Sequence, residues 1–117
     1  KWEEIPRARE VMALLRDAGH TITYDWTHCD QFSPEQAVAD KQGVMTADAL
    51  VFIAEKNLPY KGAYVEFGIA VARGIPIYIM GREIEQCIFV KLPEVQFSIA
   101  ELLRPTFTTD TDPGDEN

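Results

Sequence analysis

The sequence predicts an α/β fold with a mostly parallel sheet, and three observations favour it. Two continuous apolar runs, residues 49–54 and 75–80, have the composition of strands that are buried on both faces. Between them, residues 62–74 (GAYVEFGIAVARG) place small and apolar side chains at helical spacing. Neighbouring parallel strands need such a crossover helix, so these three segments form one strand–helix–strand unit.

The N-terminal third of the chain adds a helix and a strand to this unit. Residues 4–18 have helical apolar spacing, and Gly19 follows as a helix end. Residues 20–26 (HTITYDW) alternate and are rich in β-forming residues, which predicts a strand. Folds of this class normally begin with a central strand, whereas this chain begins with a helix. We therefore expect the first strand of the fold to be missing from these residues.

A second helix is predicted from Ser33 to about Thr46. Ser33 suits the N-cap, Pro34 suits the first helical position, and Gln36 lies where a capping-box partner would. The side chains that we expect to face inward are Ala37, Val38, Val44 and Met45.

The rest of the chain completes the sheet. Gly74 is expected to end the helix of residues 62–74, and Gly81 the strand of residues 75–80. Residues 87–90 predict a last strand, and a short helix is expected from Ser98. Together these elements predict a three-layer, Rossmann-like (flavodoxin-like) arrangement with helices on both faces of the sheet. We expect one domain over residues 1–105 and an acidic, disordered tail over residues 106–117.

Composition limits the classes of partner. The chain has 117 residues, with 11 basic and 19 acidic side chains and a formal net charge of -8. This charge repels polyanions, so we expect no nucleic acid polymer as a partner, while a small phosphorylated ligand remains compatible. No apolar run is long enough for a membrane span or a signal-peptide core. Cys29 and Cys87 match no disulfide framework and are interpreted as reduced thiols of a cytoplasmic protein.

Glu66 is the only acidic residue of the helix over residues 62–74. In open α/β sheets, ligands bind beyond the carboxyl ends of strands and near helix N-termini, where this residue is expected. The helix N-terminus should favour its ionised form, and Gly62 should leave room for a ligand. Close packing of the helix on the sheet is expected at Gly68, Ala70 and Ala72. The alternative is an ordinary acid at a helix start, and composition alone favours that alternative.

The segment ADALVFIAEKNLPYKGAYVEFGIAVARGIPIYIMG (residues 47–81) resembles the core of the nucleoside 2-deoxyribosyltransferase-like family, which includes deoxynucleoside 5'-monophosphate N-glycosidases. The family's helix motif, G-x-x-x-E-x-G-x-A-x-A-x-G, is present at every fixed position. Residues 18–26 and 88–103 also look like family segments. The resemblance therefore covers most of the chain after Glu4.

The resemblance implies roles for two carboxylates. Glu66 occupies the position of the nucleophile that attacks the anomeric carbon of a deoxyribose, through a covalent glycosyl ester. Asp40 occupies the place of an aspartate that orients the nucleophile or the sugar hydroxyls, the alternative being an exposed helix acid. The sugar then passes to another base or to water, and the sequence leaves both outcomes open. The resemblance further implies a homo-oligomer, a dimer or larger.

Five further residues are substrate-binding candidates. Tyr60 stands where relatives have an aspartate or a serine, and either Tyr60 or Tyr64 could offer a hydroxyl. Gly62 leaves space beside the motif. Trp26 could stack on a base, although a core tryptophan is an equal alternative. Asp48 precedes its strand, where a capping or turn role is the alternative.

The predicted activity is therefore cleavage of the N-glycosidic bond of a 2'-deoxyribonucleoside or its 5'-monophosphate. Two alternatives stay open: a non-catalytic nucleotide-binding or sensing module of the same fold, and a ribosyl or NAD glycohydrolase. No metal is expected, because His20, His28, Cys29 and Cys87 lack zinc-ligand spacing. No cofactor is expected either, since no Walker loop or GxGxxG motif is present.

Overall fold

The computed structural model describes residues 2–28 and 33–104, and within them three strands form one parallel sheet. The strands lie in the order β1 (Leu50–Ile53), β2 (Ile77–Met80) and β3 (Val95–Gln96). Leu50 is in register with Ile77, which is in register with Val95. The α-helices are α1 (Ile5–Asp17), α2 (Pro34–Met45) and α3 (Lys61–Arg73). Short 3-10 helices span Trp2–Glu4, Trp26–His28, Ile88–Lys91 and Ala100–Leu103.

The two faces of the sheet carry separate apolar clusters, because side chains alternate along each strand. On one face, strand residues pack against α3, and this cluster includes Phe52, Ala54, Phe67, Ala70, Ile77 and Ile79. On the other face, strand residues pack against α1, and this cluster includes Val11, Leu15, Val51, Ile53, Tyr78 and Ile99. Helices therefore cover both faces, which confirms an α/β fold with a parallel sheet.

Two helix ends lie where the sequence predicts a capping residue. The Ser33 side chain accepts a hydrogen bond from the Gln36 N–H at 3.1 Å, which satisfies one free amide at the start of α2. Gly74 ends α3 with a φ of 71°, a left-handed conformation that glycine adopts without steric cost. The predictions of this N-cap and this helix end are confirmed.

The predicted strand over residues 20–26 is wrong, since this segment forms no part of the sheet. Side-chain contacts hold it instead. The Thr23 hydroxyl donates to the Gly43 carbonyl at 2.7 Å, and Nε2 of His20 lies 2.6 Å from the Leu102 carbonyl. A β-forming sequence becomes a strand only when it pairs with another strand, and no strand of the described residues pairs with this segment.

The predicted strand over residues 87–90 is also wrong. Ile88 begins a 3-10 helix there, and the side chains of Ile88 and Phe89 are 72% and 54% exposed. The third strand is β3, which joins the sheet as the Ile77 N–H donates to the Glu94 carbonyl at 2.9 Å. The short helix expected from Ser98 is a 3-10 helix beginning at Ala100.

The inward face of α2 differs from the expectation. Val44 is buried as expected, whereas Ala37, Val38 and Met45 are exposed. The buried face instead contains Gly43, because α2 approaches the 20–26 segment closely: a Cβ on Gly43 would lie 2.9 Å from that of Tyr24.

Only part of the expected close packing of α3 is present. Ala70 is fully buried against the sheet, as expected. Gly68 and Ala72 are exposed, and a Cβ on Gly68 would meet no atom within 4 Å. These two small residues therefore do not bring the helix closer to the sheet.

Two sequence predictions lie outside the described residues: the acidic tail over residues 106–117 and the state of Cys29. Cys87 is a half-buried free thiol. Among the helices of residues 2–28 and 33–104, none has the length and apolar character needed to cross a membrane.

Candidate functional site

Two carboxylates from neighbouring helices lie beside the same cavities. Asp40 belongs to α2 and Glu66 to α3, and these helices pack against each other. Both residues line a cavity of about 510 Å³ and an adjoining one of about 250 Å³. The structure therefore brings together the two residues that the sequence proposes as catalytic.

The smaller cavity lies at the carboxyl end of β1 and the start of α3. Its lining includes Glu4, Trp26, Phe52, Tyr60, Gly62 and Ala63 besides the two carboxylates. This is the edge of a parallel sheet where ligands bind in open α/β folds. Apolar walls with a few convergent polar groups are typical of small-molecule sites.

The protonation of Glu66 differs from the expectation. Burial and, secondly, the charge of Asp40 raise the pKa of Glu66 to about 7. The helix N-terminus was expected to favour the ionised form, but Glu66 lies six residues after the N-cap Tyr60, in the second turn. The free amides that stabilise an anion belong to the first turn of a helix, so this part of the expectation is wrong.

Asp40 is the second titratable group of the pair. Burial raises the pKa of Asp40, and its Oδ1 atom is buried without a hydrogen-bond partner among the described residues. Two carboxyls that repel each other's charge lose their protons in separate steps. Near neutral pH, such a pair can supply a carboxylate and hold a proton at the same site.

Tyr60 is oriented by a buried hydrogen bond. Its hydroxyl donates to the Glu4 carboxylate at 2.6 Å and accepts the Lys56 N–H at 3.1 Å. Burial and Glu4 both raise the pKa of the Tyr60 phenol. Tyr60 also has a φ of 51°, a conformation that is unusual for a bulky residue, at the N-cap of α3. Its hydroxyl is therefore engaged by Glu4 at the rim of the smaller cavity.

The other substrate-binding candidates are divided between the two cavities. Trp26 is half-buried and lines both of them. Gly62 is exposed, lines the smaller cavity, and has no atom within 4 Å of where a Cβ would lie. Asp48 is exposed and lines only the larger cavity, at the amino end of β1.

Tyr64 lies outside the set that the structure brings together. It lines neither cavity, and its ring instead meets Phe52 edge-on at 5.7 Å. Burial and the neighbouring Cys87 raise the pKa of its phenol. Its position therefore indicates a packing role beside the sheet.

Glu4 is a site residue that the sequence did not indicate. It is 5% exposed and lines the smaller cavity, although it precedes α1 in a 3-10 helix. Its partner, Tyr60, is 56 residues away, so no local spacing relates the two. The described residues contain no group of three or more His, Cys, Asp or Glu side chains that could hold a metal ion.

Comparison with known proteins assigns no family to this chain. No family model, curated protein or solved structure matches the chain.

Proposed function

We propose that this protein is an enzyme that cleaves the N-glycosidic bond of a 2'-deoxyribonucleoside or its 5'-monophosphate, with Glu66 as the nucleophile. The supporting observation is that Glu66 and Asp40 both line the same two cavities, the smaller of which lies at the start of α3. The proposal includes a three-layer Rossmann-like (flavodoxin-like) arrangement, supported by helices on both faces of a parallel sheet.

The reaction has two steps. An oxygen of the Glu66 carboxylate attacks the anomeric carbon, the bond from that carbon to the base breaks, and the base leaves with the bonding electrons and takes up a proton. Water or a second base then attacks the same carbon, which breaks the ester bond and regenerates the carboxylate. The first outcome is hydrolysis and the second is transfer.

The environment of Glu66 suits this chemistry. A pKa of about 7 means that both protonation states are populated near neutral pH, and only the ionised form can attack. Partial burial removes water that would otherwise solvate the carboxylate. Oδ1 of Asp40 has no partner among the described residues and is therefore available to accept a hydrogen bond from a sugar hydroxyl.

The direct experiment measures free base after incubation of the protein with each deoxynucleoside and each 5'-monophosphate. Glu66→Gln should abolish release, because the amide cannot form the ester. Glu35→Gln is the matched control, since Glu35 is an exposed acid in the first turn of α2 and should leave release unchanged. Unchanged release in Glu66→Gln would contradict the assigned role.

The same substrates separate the alternatives. A non-catalytic nucleotide-binding module predicts that the ligands raise the melting temperature without releasing base. A ribosyl or NAD glycohydrolase predicts release from the ribose substrates in preference to the deoxyribose ones. Release from deoxyribose substrates supports the proposed activity over both.

We also propose that the protein is a cytoplasmic homo-oligomer. Large apolar side chains are exposed in the described residues, including Val65 on α3 at 65% and Ile88 at 72%. Exposed apolar groups of this size favour burial against another chain. Sedimentation should therefore give a mass of at least twice that of the chain, and a Val65→Lys variant should shift it towards the monomer.

A further inference from the structure

Helix α2, which carries Asp40, has a narrow apolar contact with the rest of the fold. Its buried residues are Gly43 and Val44, both in the last turn, and Val44 belongs to the apolar cluster on the α3 side of the sheet. One glycine and one valine bury little apolar area, so their packing alone fixes the position of α2 weakly. Polar contacts therefore contribute to where Asp40 lies.

Arg73, in the last turn of α3, makes such a polar contact with the end of α2. Its Nη1 atom donates to the Val44 carbonyl at 3.0 Å and also to the Ala47 carbonyl. The last carbonyls of a helix lack partners within the helix, and the helix dipole favours a basic side chain near them. Here the basic side chain comes from another helix. One guanidinium therefore joins the ends of α2 and α3.

The positions that Arg73 joins match the positions of the two carboxyls. Glu66 and Arg73 are seven residues apart on α3, and Asp40 and Ala47 are seven residues apart at the end of α2. Seven residues make two turns of a helix, about 10.5 Å, and return to nearly the same face. The two helices therefore run side by side in the same direction, with Arg73 and Ala47 two turns beyond Glu66 and Asp40.

We propose that Arg73 is a positioning residue for the reaction at Glu66: its guanidinium holds α2 in the register that brings Asp40 to Glu66. Arg73 lines neither cavity, so it acts through α2 and not on the substrate. The inference rests on the proposed function only for its consequence in catalysis, because the register of the two helices is a property of the fold.

A positioning role of Arg73 differs from two other roles in its effect on Glu66. Burial and the charge of Asp40 both raise the pKa of Glu66, so the release of α2 should lower this pKa. A direct effect of the guanidinium charge has the opposite sign, because removal of a positive charge raises the pKa of a carboxyl. A contact that only stabilises the fold contributes to the free energy of unfolding and leaves the pKa of Glu66 unchanged.

Carbon-13 NMR titration of the Glu66 carboxyl in Arg73→Met tests the proposal. Methionine keeps an unbranched side chain and a similar helix propensity but has no N–H donor. The pKa of Glu66 should fall from about 7 by about one pH unit or more. Lys91→Met is the matched control, because Lys91 is an exposed cation outside α2 and α3, and it should leave this pKa unchanged. These substitutions leave the other titratable side chains that line the two cavities in place: Glu4, His20, Tyr24, Asp48, Tyr60 and Lys61.

A double-mutant cycle shows whether Arg73 acts through Asp40. Asp40→Asn should lower the pKa of Glu66 in the wild type, because it removes a neighbouring negative charge. In Arg73→Met the same substitution should lower it at most about half as much, because the two carboxyls are then farther apart. Arg73→Lys keeps the charge at the helix end and is the milder variant if Arg73→Met does not fold. It should give a smaller fall in the pKa of Glu66, since lysine lacks the planar guanidinium.

The titration needs no turnover, so its outcome is separate from that of the proposed function. If base is released, the pH dependence of kcat/KM in Arg73→Met should shift to lower pH together with the pKa of Glu66, because only the ionised carboxylate attacks. Two results would overturn the proposal. One is a pKa of Glu66 that rises or stays at the wild-type value in every Arg73 variant that folds. The other is an equal effect of Asp40→Asn in the wild type and in the Arg73 variant.

Discussion

The Tyr60 hydroxyl donates a hydrogen bond of 2.6 Å to the Glu4 carboxylate, and both side chains are buried. This bond ties the N-cap of α3 to the 3-10 helix that precedes α1. It sets the position of the helix that carries Glu66, because Tyr60 is the residue from which α3 begins.

Removing this hydroxyl should destabilise the fold. Tyr60→Phe leaves the buried Glu4 carboxylate without the partner, which costs about 1–3 kcal/mol of the free energy of unfolding. Urea denaturation measures the change. Tyr64→Phe is the matched control, because Tyr64 is 36% exposed and its change should stay within about 0.5 kcal/mol. Equal costs for the two variants would contradict a structural role for the Tyr60–Glu4 bond.

Glu66 should make the stability depend on pH. Its pKa rises from 4.5 to about 7 on folding, so between these values the folded chain holds a proton that the unfolded chain has lost. The stabilising contribution is complete below pH 4.5 and is lost as the pH rises through 7. The loss is on the order of 3 kcal/mol.

Urea denaturation at several pH values compares the wild type with Glu66→Gln. The variant has no titrating group at this position, so its free energy of unfolding relative to the wild type should increase between pH 4.5 and pH 8. Parallel pH dependences of the two proteins would show that Glu66 has an ordinary pKa in the folded chain.

Asp40 should raise the pKa of Glu66 through its charge. Asp40→Asn removes that charge, so the pKa of Glu66 should fall below 7. Carbon-13 NMR titration of the Glu66 carboxyl measures this without any assay of activity. Glu35→Gln serves as the control, because Glu35 lies on the same helix as Asp40. The pKa of Glu66 in this variant should match that of the wild type. A pKa of Glu66 that is the same in Asp40→Asn would mean that burial alone sets it.

Two glycine substitutions should change stability in opposite directions. In Gly43→Ala, the new Cβ lies 2.9 Å from the Cβ of Tyr24, so the variant should lose about 1–3 kcal/mol. In Gly68→Ala, the Cβ meets no atom within 4 Å, and the helix propensity of alanine should stabilise α3 by up to about 1 kcal/mol. Thermal unfolding of both variants gives the comparison. A stabilised Gly43→Ala would show that α2 does not pack closely on the 20–24 segment.

Features that depend on local sequence could be predicted. The cap at Ser33, the left-handed end of α3 at Gly74 and the apolar runs of β1 and β2 each depend on residues within a few positions of one another. Glu66 and Asp40 were proposed from the family resemblance, and the structure places both beside the same cavities, while their catalytic roles stay a prediction.

Features that depend on distant partners could not be predicted. Residues 20–26 have the composition of a strand, but pairing decides whether a strand forms, and no strand of the described residues pairs with them. The raised pKa of Glu66 arises from burial and from a helix 26 positions away, whereas the sequence suggested only a helix N-terminus. Glu4 joins the site through Tyr60, and neither residue carries a signal for the other.

The most direct test of the central claim is the detection of the covalent intermediate. The protein is mixed with a deoxynucleoside or its monophosphate, quenched in acid, and measured by intact mass spectrometry followed by peptide mapping. The account predicts an added deoxyribosyl or deoxyribosyl-phosphate mass on the peptide that contains Glu66, and no such mass in Glu66→Gln. Base release with the added mass on another residue, or an equal mass in the variant, would contradict it.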